Sequence, residues 1–240
     1  MTLPADHGRR WTPGLRSGTF GAMAADPDSV TAAKRQTRRD VAEAVARLTP
    51  GRRREASAAV AENLAGVPDV AEARTLMAFL SLPTEIDTWP LIRWAWHQGK
   101  RVTIPRIESA ADAGDVARDR LNMVAVLLGE ADVAEASAHP AVCPGPLGIL
   151  GVPDAPVMPP GEIDVVLLPC RAVDRRGNRL GKGGGFYDRF LAQASLRATR
   201  IAVGFREQVL DEVPVADHDQ PIDMVVTDDE ILTFGRYPRR

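Results

Sequence analysis

The run Arg179-Leu180-Gly181-Lys182-Gly183-Gly184-Gly185-Phe186-Tyr187-Asp188-Arg189 concentrates groups that can do chemistry. Four glycines in five positions free the backbone to turn where a side chain would clash. Successive N–H groups in such a loop can converge on an anion. Arg179 can fork onto phosphate oxygens, Lys182 adds a second positive charge, and Asp188 offers the hard oxygen that Mg²⁺ prefers. A helix-like run from Tyr187 to about Ala194 would set the glycines at a helix N-terminus, which favours phosphate. The residues read as a loop for a magnesium-bound polyphosphate. The plain alternative is a Gly-rich turn between strand and helix. Two common phosphate motifs do not fit. From Gly177 to Gly181-Lys182 the Walker spacing is one residue short, and Gly183 replaces its hydroxyl residue. The dinucleotide fingerprint started at Gly181 meets Phe186 where a third glycine belongs.

A second basic group lies far upstream. Lys34 and Arg38 are spaced i, i+4 on a helix expected from Ser29 to Leu48, so both can reach one ligand. Ser29 is the expected cap, Val41, Val45 and Leu48 share one face, and Pro50-Gly51 is the expected stop. With Arg35 and Arg39 beside them, a solvated basic face is the alternative.

Other elements must bring these groups together. A second helix is expected over Arg52 to Leu64. Arg74 to Leu82 reads as a buried parallel strand, and Pro83-Thr84-Glu85-Ile86-Asp87-Thr88 follows at its C-terminal end. In open α/β sheets ligands bind there. Asp87 or Thr88 caps a helix from Trp89 to Gln98 that Gly99 closes. Further strands are expected over Lys100 to Pro105, ending at the proline, over Leu121 to Leu128, over Ile163 to Leu168 and over Arg200 to Phe205. Residues 137–162, rich in Pro and Gly, read as an ordered excursion. The alternation of strands and helices predicts an α/β fold: a mostly parallel, doubly wound central sheet with flanking helices, in a single structural unit over 29–240. Residues 1–28 lack apolar period and read as an irregular N-terminal extension.

Composition narrows the function classes. The 240 residues suffice for a sizeable core, and a net charge of −2 argues against a nucleic-acid partner. A nucleic-acid binder using the Arg-rich 34–54 segment would need a steep salt dependence of affinity. The two cysteines, Cys143 and Cys170, form neither a disulfide framework nor a zinc set, so a reducing cytoplasm is expected. No apolar run has membrane length. Cys170 has no nearby His to activate it as a nucleophile.

The string Arg-Leu-Gly-x-Gly-x-Gly-aromatic-Tyr-Asp-Arg resembles the signature of the 5-formyltetrahydrofolate cyclo-ligase family. Other elements match in order: Lys34-x-x-x-Arg38, Ser81 to Thr88, Lys100 to Pro105, and a tail holding Gln208, His218-Asp219 and Asp223 to Thr227. The resemblance covers roughly Lys34 to Phe234. It implies ATP- and Mg²⁺-dependent conversion of 5-formyltetrahydrofolate to 5,10-methenyltetrahydrofolate, with release of ADP and phosphate through a phosphorylated formyl group. It implies ATP contacts from Lys34, Arg38, Arg179, Gly181, Gly183, Gly184, Gly185 and Tyr187. Folate contacts are implied for Leu80, Glu85, Lys182, Gly183, Gly184, Gly185 and Phe186, and Mg²⁺ ligation for Asp188 and Asp219. Arg179, Lys182 and Asp188 are then the catalytic set, in a cytoplasmic monomer. The chain departs from the pattern at Cys170, Arg171 and Val173, at Phe186 where the family commonly has Tyr, and at Gly148 to Pro153, which lacks the family's Glu. The departures at 170–173 and at Phe186 support a rival reading, a folate- or nucleotide-binding paralogue without turnover; no function is assigned to Gly148 to Pro153.

Overall fold

The computed structural model describes residues 27–109, 121–130, 143–144, 150–193 and 195–235. Residues 1–26 of the expected 1–28 extension, and residues 137–142 and 145–149 of the expected 137–162 excursion, Gly148-Ile149 among them, lie outside them.

Helix α1 spans Pro27–Ala46, so Ser29 is a first-turn residue and not its cap; Asp28 in that turn complements the helix dipole. Pro50 was expected to stop this helix and instead opens the next. Helix α2 runs Pro50–Ala65, with Thr49 accepting a bond from the Arg52 N–H at 3.2 Å. Proline is suited to a first helical position, where no backbone donor is needed. A short α3 (Pro68–Glu72) leads to β1 (Thr75–Met77). Helix α4 is Trp89–His97. At its start Asp87 accepts the Trp89 N–H at 3.0 Å, whereas the Thr88 hydroxyl turns back to the Phe79 carbonyl.

Strand β2 is Arg101–Ser109 and runs straight through Pro105, contrary to the expected stop. Its parallel ladder to β1 ends at Thr103, while its antiparallel ladder to β3 (Leu121–Leu127) continues to Ser109. Pro105 therefore lies beyond the β1 ladder, where no donor is required on that side. The remaining strands are β4 (Cys143–Pro144), β5 (Leu150–Gly151), β6 (Val157–Met158), β7 (Val165–Pro169), β8 (Ala172–Asp174), β9 (Arg179–Leu180), β10 (Thr199–Val203), β11 (Val209–Leu210), β12 (Met224–Val226) and β13 (Ile231–Thr233). Helix α5 is Phe186–Leu191.

Among the described residues eight strands form the central sheet, in the order β13-β12-β10-β7-β1-β2-β3-β6. The pairings from β12 through β2 are parallel, and the outer ones are antiparallel. The mostly parallel, doubly wound sheet with flanking helices is thus present. Alternation along each strand sends side chains to two cores. Leu76, Val165, Leu167 and Ile201 pack on one face with Val41, Val45, Val60, Leu64 and Leu91 of α1, α2 and α4. Met77, Val166, Leu168 and Ala202 pack on the other with Phe186, Phe190 and Leu191 of α5. Burial on both faces explains the near-continuous apolar runs.

Strand order reverses between β1 and β7, and the chain leaves both at the same end of the sheet. A crevice forms at such a reversal. Beyond β7, a small second sheet of β11, β8 and β9 carries the glycine loop. Its foundation is Asp174, which is fully buried. The Asp174 carboxylate accepts the Arg176 and Asn178 N–H groups, the Asn178 amide and the Val213 N–H. Replacing Asp174 by Ala strands these donors, and we expect a loss on the order of 3 kcal/mol in urea unfolding. A midpoint within error of wild type would show that water takes over the donors. No described helix is long and apolar enough to cross a membrane.

Candidate functional site

A cavity of about 370 Å³ opens at the strand-order reversal, with the whole Gly181–Asp188 loop, Arg38, Leu80, Glu85 and Asp219 on its walls. Residues far apart in the chain thus meet at one place. The loop leaves β9, turns through Gly183 and enters α5. Gly183 has φ +100°, a conformation L side chains rarely adopt, so glycine is required there. At Gly181 the constraint is space: a Cβ would lie 2.8 Å from the Arg179 Nη1 atom. The helix that follows has only six residues, shorter than expected, and its dipole is correspondingly small. Positive charge at the cavity comes chiefly from side chains.

Those side chains are held in opposite-charge pairs. Lys34, buried on α1, places Nζ 2.5 Å from Asp219 Oδ2, which also accepts the Ala216 N–H at 2.8 Å. Lys182 Nζ lies 2.6 Å from Glu85 Oε1, while Glu85 Oε2 accepts the Leu82 N–H at 2.9 Å. Arg179 Nη2 donates to Asp188 Oδ1 at 3.1 Å, and the same oxygen accepts the Gln220 N–H at 3.2 Å. The 216–220 segment therefore braces both aspartates. Arg38 differs: its Nε donates to the Gly181 carbonyl at 2.8 Å. Burial draws the Arg38 pKa below its ordinary value, Asp219 opposes that, and the neighbouring Arg171 adds to it. A cation so placed gains from an arriving anion.

Arg179 lines the cavity, set deep in its wall. Its side chain is only 2% exposed and also donates to the Pro169 carbonyl at 3.2 Å. Its guanidinium fixes Asp188. Tyr187 is packed beside it, with the Arg179 Cζ 5.8 Å from the ring centre. Burial, reinforced by Glu85 and opposed by Arg179, raises the Tyr187 pKa, so the phenol stays protonated. Burial also pushes the Cys170 thiol up to about 12, and its Sγ points to the Val203 carbonyl at 3.5 Å. It is a packed thiol and not a nucleophile at neutral pH.

The donor set suits Mg²⁺. Asp188 Oδ1 and Asp219 Oδ2 take hydrogen bonds within the protein; the second oxygen of each takes none among the described residues, though Asp219 Oδ1 lies 3.7 Å from His218 Nε2. No described cluster of three or more His, Cys, Asp or Glu could form a protein cage. One or two carboxylates, completed by water and substrate phosphates, is the set Mg²⁺ commonly accepts.

Sequence reasoning had assigned no role to Arg171, Arg189 or Gln208. Gln208 accepts the Phe205 N–H at 2.8 Å and donates to the Cys170 carbonyl at 2.6 Å, tying β10 to the end of β7. Arg189 lies over the Phe186 ring, 4.9 Å from its centre, and donates to the carbonyls of Gly184 and Leu121. Its place in the motif was a signal; its contact with β3 was not readable from spacing.

Residues 30–228 match the family described as the 5-formyltetrahydrofolate cyclo-ligase family. The 5-formyltetrahydrofolate cyclo-ligase of Escherichia coli K12 is 31% identical over 186 residues, 77% of this chain and 94% of that protein. The mouse cyclo-ligase is 26% identical over 215 residues, covering 84% and 96%. The 5,10-methenyltetrahydrofolate synthetase of Aquifex aeolicus superposes with a TM-score of 0.68 at 23% identity, covering 86% of this chain and 95% of that one, which shows a shared fold.

Proposed function

Since the chain belongs to the 5-formyltetrahydrofolate cyclo-ligase family and is an enzyme of that kind, we propose that it closes the folate ring at the expense of ATP, in the cytoplasm and as a monomer. One observation carries the reading. The glycine loop, Arg38 from α1 and the Glu85 loop after β1 wall a single cavity, so a polyphosphate and a polar heterocycle can meet there.

The chemistry explains the need for such groups. The formyl carbonyl on N5 is amide-like, and N10 cannot readily expel its oxygen. Transfer of the γ-phosphoryl to that oxygen makes it a leaving group. N10 attacks the formyl carbon, the carbon–oxygen bond breaks with its electron pair leaving on phosphate, and N10 loses its proton. The product is a methenyl bridge with its positive charge shared by both nitrogens. Phosphoryl transfer demands positioning and charge stabilisation above all. The glycine loop supplies backbone N–H groups, Lys34 and Arg38 bind the phosphates, and Lys182 neutralises charge on the transferred group once it leaves Glu85. Glu85 accepts from pterin N–H groups, while Leu80 and Phe186 pack against its ring. Arg179 holds Asp188 and keeps the loop closed behind the phosphates. Mg²⁺, held by Asp188 and Asp219, would offset phosphate charge.

The test is absorbance growth from methenyltetrahydrofolate with purified protein, 5-formyltetrahydrofolate, ATP and Mg²⁺, alongside ADP measurement. We expect one ADP per ring closed and no product when ATP or Mg²⁺ is omitted. Ring closure without ADP formation would overturn the ATP-dependent mechanism, and binding of both substrates without product would mark a paralogue that only binds.

A further inference from the structure

Glu85 sits in a stiff four-residue turn. The turn runs from Leu82 to Glu85 with Pro83 at its first corner, a position that proline favours. The Glu85 N–H donates to the Leu82 carbonyl at 2.9 Å, and Glu85 Oε2 accepts the Leu82 N–H at 2.9 Å. Backbone and carboxylate therefore move as one piece. Whatever grips the turn also sets Glu85 Oε1, the oxygen that meets Lys182 at the cavity.

One face of α2 supplies the grip. Arg53 Nη1 donates to the Pro83 carbonyl at 3.1 Å, two residues before Glu85. Ser57 Oγ accepts the Asp87 N–H at 2.9 Å, two residues after it. Arg53 and Ser57 are spaced i, i+4, so they stand on one face of the helix, and the Ser57 hydroxyl donates to the Arg53 carbonyl at 2.8 Å. Arg53 is itself braced, because its Nη2 donates to the Val45 carbonyl near the end of α1 at 3.2 Å. Its Nε is buried without a hydrogen-bond partner among the described residues. Burying an unpaired donor is unfavourable, so packing alone does not account for an arginine here. Neither Arg53 nor Ser57 lines the cavity, so neither touches substrate.

We propose that Arg53 and Ser57 are positioning residues for the reaction: they hold the segment from Leu82 to Asp87 so that the Glu85 carboxylate is set for the pterin. The proposal rests on the folate reading of the cavity. Helix α1 keeps its own ties to Gly181 and Asp219, so loss of Arg53 falls on the turn and not on the ATP cations. Without Arg53 the turn can pivot about Asp87, and Glu85 spends less time where the pterin needs it. A lysine at 53 offers one nitrogen in place of two and restores only part of the hold.

The test measures KM for 5-formyltetrahydrofolate and for ATP, melting temperature, and amide hydrogen exchange over residues 82–88, in wild type, Arg53→Met, Arg53→Lys, Ser57→Ala and Asn63→Ala. Asn63 is the control. It lies on the same helix, ~15 Å further along, and donates to the Thr227 carbonyl at 2.9 Å. Arg53→Met should raise the folate KM about 10-fold, the lower end of the range for one charge-assisted hydrogen bond. The KM for ATP should stay within about twofold, and kcat should fall by less than the folate KM rises. Arg53→Lys should recover part of the loss, and Ser57→Ala should act in the same direction as Arg53→Met. Exchange over 82–88 should quicken in Arg53→Met and Ser57→Ala while exchange over β7 stays as in wild type. Asn63→Ala should lower the melting temperature and leave the folate KM and that exchange in place. An Arg53→Met protein that melts lower but keeps both would make Arg53 only a brace between α1 and α2, and the proposal falls. Equal rises in both KM values overturn it too, since the whole site would then have loosened. The exchange needs no substrate. Unaltered protection over 82–88 therefore sinks the positioning role even where folate fails to bind, whereas failure of folate binding in wild type sinks the reading of the cavity.

Discussion

Replacing Arg38 by Ala is expected to raise the apparent KM for ATP by about 10- to 150-fold and to leave that for 5-formyltetrahydrofolate within about twofold. One charge-assisted hydrogen bond contributes ~1.5–3 kcal/mol, and each 1.36 kcal/mol is about tenfold. Arg38 is the cleaner probe of the α1 cations because its protein contact is a carbonyl, that of Gly181. Lys34→Ala should raise the KM for ATP in the same range, but it also leaves Asp219 without its cation, so its melting temperature should fall as well. Arg35 and Arg39 are exposed on the same helix and serve as controls. Their Ala variants should behave like wild type. Equal losses at all four positions would mark a diffuse basic patch, and no loss at any would mark a solvated face.

Asp188→Asn should lower kcat by about 100-fold or more, the scale seen when one preorganised electrostatic group is removed from a transition state. It keeps the shape of the side chain and removes its charge. The structure adds a second expectation, a stability loss of roughly 3 kcal/mol, because Arg179 is nearly inaccessible and would lose its counter-charge. The two effects separate in the double variant Arg179→Met with Asp188→Asn. Stability should largely return, since no charge is left unpaired, while kcat stays low. Recovery of kcat in the double variant would make the single variant's defect one of folding. Near-normal kcat for Asp188→Asn at limiting Mg²⁺ would remove Asp188 from metal binding.

The glycine loop could be read from the sequence because its information is local: Gly183 and its neighbours, Arg179, Lys182 and Asp188 lie within ten positions. The helices and the alternation toward a parallel sheet were legible for the same reason. Partnerships were not. Lys34 and Asp219 had been assigned separately, to ATP and to metal, yet they touch across 185 residues. For Arg179 the motif pointed to phosphate, but its bonds to the Pro169 carbonyl and to Asp188 depend on the end of β7 and the start of α5 meeting at it. Pro105 was misread as a stop because the requirement for its N–H depends on where the neighbouring strand ends. The paired part of β1 is only Thr75–Met77, far shorter than the apolar run from Arg74 to Leu82, because ladder length is set by partners.

The position of β1 at the middle of the sheet has a consequence for synthesis. On one side it bonds to β2, where the Arg101 side chain reaches Thr75 across 26 residues. On the other, Thr75 N–H is satisfied by Asp164, 89 residues downstream. A chain emerging from the ribosome can pair the first edge early, but the second stays bare until β7 has been made. Unpaired apolar edges recruit other chains, so products truncated before residue 165 are expected to aggregate more readily than the whole chain. Cavity assembly waits longer still, because Asp219 is made late, and contacts of such long range slow folding.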